Sequence, residues 1–165
     1  MFMEQVNSVF ELVHKEASVV VGTKWEGTFG EAGAGGIRVV QSEFKRRLGE
    51  IQHVLYPDEL LGLSYHMTGT GFTHYVGVEV DPSATREIPE GMERIEVASS
   101  HYAKRNHRKG QNIEASYNEL YVGIEASEYQ LAGGALTHYE VYPMTQKTDE
   151  SDPEFTIFIP VIHKS

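Results

Sequence analysis

Apolar side chains recur with a helical period in two stretches of the chain. The first stretch has intervals of 3, 4, 4, 3 and 4 residues between Ile37, Val40, Phe44, Leu48, Ile51 and Leu55. The second has intervals of 4, 3 and 4 residues between Ile113, Tyr117, Leu120 and Ile124. Such spacing places the apolar groups on one face of an amphipathic helix. We therefore predict helices over Ile37–Leu55 and Ile113–Leu131.

Other stretches alternate with a period of two, which is typical of strands that bury one face. The alternation is clearest over Phe72–Val80 and Phe155–Val161. Weaker strands are predicted at Phe10–Lys15, Ser18–Trp25, Leu61–Met67, Arg94–Lys104 and Leu136–Tyr142. In chain order the elements give two strands, a helix and two strands, and then the same series again.

The two series are offset by a nearly constant number of residues, which indicates an internal repeat. The helices begin near Ile37 and Ile113, an offset of 76, and the next strands begin near Leu61 and Leu136, an offset of 75. We expect one domain over 1–165 with pseudo-repeats of about 10–80 and 92–162. The predicted fold is α+β: duplicated ββαββ units form one curved antiparallel sheet with both long helices on one face. The other face would be free to form a central ligand groove.

Three segments interrupt the series of predicted strands and helices. Gly27–Gly36 is predicted to be a flexible loop, Asp81–Met92 a linker, and Thr145–Pro153 an exposed hairpin tip. The glycine-rich segment has neither the dinucleotide-binding nor the P-loop spacing, because Arg38 and Gly36 stand where those motifs need Gly and Lys. Nucleotide binding is therefore not expected.

The composition of the chain excludes several classes of function. The 165 residues carry 14 Lys and Arg against 24 Asp and Glu, a net charge of −10, and no Cys. An acidic chain repels phosphate backbones and attracts cations, so we expect no direct binding of nucleic acid. Without Cys there is no thiol chemistry, and the eight His residues show no ligand spacing, so no metal or cofactor is predicted. The N-terminal residues lack the pattern of a signal peptide and no apolar run could span a bilayer, so we expect a cytoplasmic protein without membrane contact.

The candidate chemistry lies among the nine Tyr, seven Phe and single Trp, most of them near predicted strands. Alternation places Glu140 on one face with Leu136, His138 and Tyr142, and opposite to Tyr139. Such a carboxylate is either a surface group in water or the floor of a pocket for a lipophilic cation, held by charge and cation–π attraction. A shift of 75 residues puts Tyr65 at the place of Glu140 in the other repeat. The candidate ligand-binding residues are Trp25, Tyr65, Tyr75, Tyr102, Glu140 and Tyr142.

The ordered set of short motifs resembles the GyrI-like small-molecule-binding domain, also called the bacterial transcription activator effector-binding domain. The motifs extend from about Phe10 to Ile162 and include Val20–Gly22, Tyr75–Val78, Pro89–Met92, His138–Tyr142 and Phe158–Val161. The resemblance implies a duplicated α+β fold with an aromatic groove and places the pocket acid at Glu140. With nine residues before the first predicted strand, the chain resembles stand-alone members rather than those that follow a DNA-binding domain.

Three functions follow as hypotheses. The first is a stand-alone sensor or sequestering protein for planar, apolar, often cationic compounds. The second, implied by the resemblance, is a hydrolase that opens the cyclopropane of DNA-alkylating natural products, with Glu140 positioning or deprotonating a water and Tyr65 or another Tyr hydrogen-bonding the departing ketone oxygen. The third is a module that binds a protein such as gyrase. Binding is favoured because affinity needs only the pocket, whereas catalysis needs sub-ångström placement.

Overall fold

A computed structural model describes residues 9–83 and 87–165 of the chain. In these ranges the chain forms nine strands, three α-helices and a 3₁₀ turn at Leu48–Glu50. The strands are β1 (Glu11–Lys15), β2 (Ser18–Thr28), β3 (Glu59–Tyr65), β4 (Gly71–Val80), β5 (Glu93–Val97), β6 (Ser100–His107), β7 (Tyr129–Leu131), β8 (Leu136–Pro143) and β9 (Phe155–His163). The helices are α1 (Phe29–Gly33), α2 (Gly36–Arg46) and α3 (Ile113–Ala126). The predicted α+β class is confirmed.

All strands join one antiparallel sheet in the order β1-β6-β9-β8-β3-β4-β2-β5, with β7 paired to β9. The two halves of the chain meet where β3 pairs with β8, and each half lends its first strand to the other: β1 pairs with β6, and β5 with β2. The order therefore reads the same way from either end, which supports duplicated units. The repeat boundaries of about 10–80 and 92–162 remain a proposal, and residues 84–86 of the predicted linker lie outside the described residues.

The exchanged strands require the sheet to curve. The sequence predicted one strand over Arg94–Lys104, but the structure divides it at Ala98 and Ser99 into β5 and β6. In a flat sheet these two strands would lie six strand spacings apart, about 29 Å, whereas the link from Val97 to Ser100 reaches about 11 Å. The sheet must therefore curl until its two ends approach each other. Its inner face, here called the concave face, packs one core cluster from both ends, including Val20, Val97, Tyr102 and Phe158.

Both long helices pack on the opposite, convex face. Phe44 of α2 packs against the core side chains of β2 and β4, and Leu120 of α3 packs against those of β6 and β9. The central strands β3 and β8 lie between the two helices. We call this strip of β3 and β8 the central groove. The sequence placed the groove on the helix-free face, and that placement stays a prediction; on the other face the helices sit over the two flanks of the sheet, with β3 and β8 between them.

Helix α2 is shorter than the predicted Ile37–Leu55. It ends at Arg46, and the chain passes through the 3₁₀ turn before His53 adopts a left-handed conformation with φ 57°. Ile51 is nevertheless buried, and Leu55 donates its backbone N–H to the Glu79 carbonyl. The apolar period continued beyond the helix because Leu48 and Ile51 pack on the core from the segment that follows α2, whereas Leu55 is exposed.

Two other boundaries also differ from the prediction. Helix α3 ends at Ala126 rather than Leu131, because Ser127 leaves the helix and its hydroxyl bonds the Ile124 carbonyl; the next residues form β7. The predicted loop Gly27–Gly36 contains the end of β2 and the short helix α1. That helix starts at a capping box in which the Thr28 and Glu31 side chains each bond the other's backbone N–H.

Candidate ligand-binding site

The carboxylate of Glu140 lies in the middle of the central groove. Glu140 pairs with Gly62 of β3 and with Ile157 of β9, so its side chain points to the helix-bearing face. It lies deep in the fold, yet part of the side chain is accessible to solvent. This is the position expected of a group on the floor of a groove.

Two tyrosine hydroxyls hold the carboxylate. Tyr117, from α3, donates to one oxygen, and Tyr142 donates to the other at 2.9 Å. Burial raises the pKa of Glu140 above its usual value, and the two hydrogen bonds oppose that rise. Burial and the adjacent carboxylate raise the pKa of both phenols well above 10. In the described ranges Glu140 has no ion-pair partner.

The floor of the groove beside Glu140 is made of small residues and a buried imidazole. A methyl group added at Gly62 would lie 3.0 Å from the ring of His74 and 3.4 Å from Glu140 Oε1. His74 is 3% exposed; its Nδ1 is 2.9 Å from Ser64 Oγ, and its Nε2 has no hydrogen-bond partner. Gly62 is therefore needed for the space in which the imidazole and the carboxylate approach each other.

A second imidazole lies against the α3 tyrosines. The ring of His138 is 4.7 Å from that of Tyr117, and its Nε2 is within hydrogen-bond distance of the Tyr121 hydroxyl. Burial lowers the pKa of His138 to about 4, and burial together with the charge of His138 lowers the pKa of His74 to about 4. Both imidazoles are therefore neutral at pH 7 and do not supply a counter-charge to the carboxylate of Glu140.

Trp25 stands at the far side of the same face. Trp25 of β2 pairs with His74 of β4, His74 pairs with Ser64 of β3, and Ser64 pairs with His138 of β8. Trp25 is therefore three strand spacings, about 14 Å, from β8. Its ring packs 5.3 Å from Phe72 and close under Gly36 at the start of α2. Trp25 therefore borders the groove without touching Glu140.

Three of the six predicted site residues lie elsewhere. Tyr65, Tyr75 and Tyr102 belong to the core cluster of the concave face, and the rings of Tyr65 and Tyr75 meet edge to face at 5.7 Å. The structure thus brings together Glu140 and Tyr142, with Trp25 on the same face, and separates the other three tyrosines from them by the thickness of the sheet.

The predicted face of Leu136 is also wrong, because a register shift between β3 and β8 turns it to the concave side, opposite to Glu140. Sequence reasoning missed the contribution of α3. Tyr117 was taken as an apolar position of the helical period, and Tyr121 was not singled out. The signal was available: the two residues are four apart, on one face of the helix, and both carry hydroxyls.

Two broader features of the described residues bear on the site. In residues 9–83 and 87–165, no group of three or more His, Asp or Glu side chains is arranged to hold a metal ion. Within the same ranges, no helix has the length and apolar character needed to cross a membrane.

The sequence matches the family model of Cass2, described as integron-associated effector-binding protein, over residues 11–161. None of the curated proteins compared with the chain is similar to it. Among solved structures, SAV2435 bound to tetraphenylphosphonium has a TM-score of 0.67 and 18% identity, with 93% of each chain covered.

A putative bacterial transcription regulation protein from Staphylococcus aureus has a TM-score of 0.63 and 17% identity, covering 94% of this chain and 98% of its own. A hydrolase from Listeria innocua has a TM-score of 0.55 and 9% identity, covering 94% and 92%. At these identities the likenesses establish the fold, and they agree with the GyrI-like resemblance.

Proposed function

Because the chain belongs to the family of Cass2 integron-associated effector-binding proteins, we propose that it binds lipophilic aromatic cations in the central groove, with Glu140 as the counter-charge. The setting of that carboxylate carries the proposal. It is partly buried, it is held by tyrosine hydroxyls, and it forms no ion pair in the part of the chain that the structure describes. A protein that senses or sequesters such compounds needs this combination.

The charge of Glu140 is unbalanced in an empty groove and balanced in a groove that holds a cation. A carboxylate removed from water loses solvation, which disfavours its charged form. The hydroxyls of Tyr117 and Tyr142 offset part of that loss, but they bring no opposite charge. A cationic ligand supplies that charge. His74 and His138 do not compete for the role, because a pKa of about 4 leaves each of them neutral at pH 7.

The aromatic walls favour a ligand with its own rings. Tyr117 and Tyr121 extend from α3 over β8, and the rings of Trp25 and Phe72 pack against each other at the opposite border. Ring faces attract organic cations and bury apolar area, and the two effects add for a ligand such as an arylphosphonium. The tetraphenylphosphonium named for SAV2435 belongs to this class and supports the choice of probe.

The test compares a cation with a neutral molecule of similar shape. Methyltriphenylphosphonium and triphenylphosphine oxide are titrated while the fluorescence of Trp25, the single tryptophan, reports occupancy of the groove. Glu140→Gln keeps the shape and removes the charge. It should weaken binding of the phosphonium by about 1–3 kcal/mol, roughly 5- to 150-fold, and that of the oxide much less.

A matched control is Glu43→Gln, which makes the same change of net charge at an exposed residue paired with Arg46. It should leave both affinities unchanged. If the wild-type protein binds both probes equally, or if Glu140→Gln and Glu43→Gln behave alike, Glu140 is not the counter-charge and the proposal is wrong.

Hydrolysis of cyclopropane-containing natural products is the second candidate. The geometry that favours it is the carboxylate with a raised pKa held between two hydroxyls. Glu140 would take a proton from the water that attacks the ring carbon, while Tyr117 would turn its single O–H from the carboxylate to the ketone oxygen that receives the electrons of the broken bond. Tyr65, named for this role from the sequence, lies on the opposite face.

Product analysis separates the two candidates. In the hydrolytic case the wild-type protein yields a ring-opened product, and Glu140→Gln lowers its rate by roughly 100-fold or more while binding survives. Recovery of unchanged compound from the wild-type protein at saturating concentration rejects hydrolysis and leaves the binding function in place.

A further inference from the structure

The concave face carries a second cluster of aromatic rings, on the side of the sheet opposite to the central groove. The rings of Tyr102, Tyr139 and Phe158 meet one another edge to face, with centroids 5.6, 5.7 and 6.0 Å apart. The three residues lie on the neighbouring strands β6, β9 and β8, with side chains directed away from the helices. We call this cluster the aromatic box.

The box already holds a cation of the protein itself. The ammonium of Lys15 lies 4.4 Å from the centre of the Phe158 ring and 5.0 Å from that of Tyr139. Glu59 and Glu79 are the acidic groups whose charges act on it. Faces of aromatic rings with nearby carboxylates are the surroundings that proteins use for alkylated ammonium ions.

The space around the ammonium is larger than the ammonium needs. A cavity of about 380 Å³ is lined by Lys15, both carboxylates, Tyr102 and Tyr139, and a second one of about 280 Å³ adjoins Tyr102 from the side of Tyr65. Tyr102 is fully buried, and its hydroxyl lacks a hydrogen-bond partner. A buried hydroxyl without a partner is uncommon and marks a place where a ligand or water completes the structure.

The lysine is attached to a part of the sheet that can move. Lys15 is the last residue of β1, a strand of five residues at the end of the sheet whose pairing, in the described residues, is to β6 alone. Short strands at the end of a sheet open more readily than central ones. Withdrawal of Lys15 would leave the rings and carboxylates in place around an open cavity.

We propose that the aromatic box is a second binding site, specific for small quaternary or methylated ammonium compounds, and that Lys15 closes it as a tethered competitor. The site is separate from the groove at Glu140 and on the opposite face of the sheet. It does not depend on the function proposed for the groove.

The test removes the competitor and uses tetramethylammonium as the probe. Binding is followed by NMR of ring-labelled tyrosine, since Tyr102 and Tyr139 line the box. Lys15→Gln should tighten the dissociation constant of tetramethylammonium about tenfold or more, because a tethered group competes at a high effective concentration. Lys15→Met, which keeps the apolar stem, is the second variant, and circular dichroism establishes that each is folded.

Three controls decide the outcome. Lys24→Gln makes the same change of net charge at a lysine paired with Glu26, and it should give no gain. Neutral tert-butanol should gain nothing from the loss of Lys15. Glu79→Gln, added to Lys15→Gln, should lose about fivefold or more of the new affinity. The proposal is overturned if neither Lys15 variant binds tetramethylammonium more tightly than the wild-type protein, or if the alcohol or Lys24→Gln shows the same gain.

Discussion

The buried imidazole of His74 makes the stability of the protein depend on pH in a defined window. His74 is 3% exposed, and its pKa falls from 6.5 in the unfolded chain to about 4, first because of burial and second because of His138. Between pH 6.5 and pH 4 the unfolded chain therefore binds a proton that the folded protein does not. The stabilisation from a neutral His74 is complete above pH 6.5 and is lost as the pH falls through this window.

The size of this pH effect follows from the shift of the His74 pKa. A difference of about 2.5 pKa units corresponds to at most about 3 kcal/mol, and of this about 2 kcal/mol is lost between pH 7 and pH 5. His74→Gln removes the titrating group. Between pH 7 and pH 5 the free energy of unfolding should fall less for this variant than for the wild-type protein. The difference between the two losses should be about 2 kcal/mol.

Urea denaturation followed by far-ultraviolet circular dichroism at pH 7 and pH 5 measures the difference. Because each protein is compared with itself at two pH values, the cost of the substitution at pH 7 cancels. His53→Asn, at an exposed residue with a left-handed conformation that Asn tolerates, is the control and should follow the wild-type protein. Equal losses for His74→Gln and the wild-type protein would show that His74 takes up a proton in the folded state, and the reasoning would fail.

Three further predictions concern the two faces of the sheet. Glu140→Gln should raise the free energy of unfolding of the unliganded protein at pH 7, because burial disfavours the charged carboxylate; urea denaturation measures it. Gly62→Val should weaken binding of methyltriphenylphosphonium about tenfold or more, since a Cβ there already crowds His74 and Glu140, whereas Gly69→Val, at a position with open space, should not; the fluorescence titration compares them. Tyr65→Phe should leave that affinity unchanged, because the hydroxyl lies on the other face of the sheet.

The order of elements was predictable because side-chain periods report helices and strands directly. The pairing of strands was less accessible, since alternation states which residues share a face but does not identify the neighbouring strand. The pattern therefore did not indicate that β1 and β5 each pair with a strand of the other half, and it predicted Arg94–Lys104 as one strand. Helix ends were missed where a packed extended segment continued the apolar spacing, as at Ile51.

Only part of the candidate site was predicted, because alternation shows which residues share a face and not which elements pack against them. Alternation within one strand correctly placed Glu140 with Tyr142. The repeat offset of 75 then assigned Tyr65 to the equivalent position, but residues facing the helices are even-numbered on β3 and, from His138 onward, on β8, so that an odd offset moves Glu140 to a residue on the opposite face. The direct partner of Glu140 across the strands is Gly62. The spacing of Tyr117 and Tyr121 was visible in the sequence, but the contact of Tyr117 with the carboxylate depends on helix docking, which the strand pattern does not report.

We expect the ligand to occupy the groove between the helices rather than the concave face, and nuclear Overhauser effects from the bound ligand distinguish these two positions. In a complex of the wild-type protein with methyltriphenylphosphonium, the phenyl protons should show effects to the rings of Tyr117 and Tyr142. Effects to Tyr65 and Tyr75, without any to the two groove tyrosines, would contradict the account.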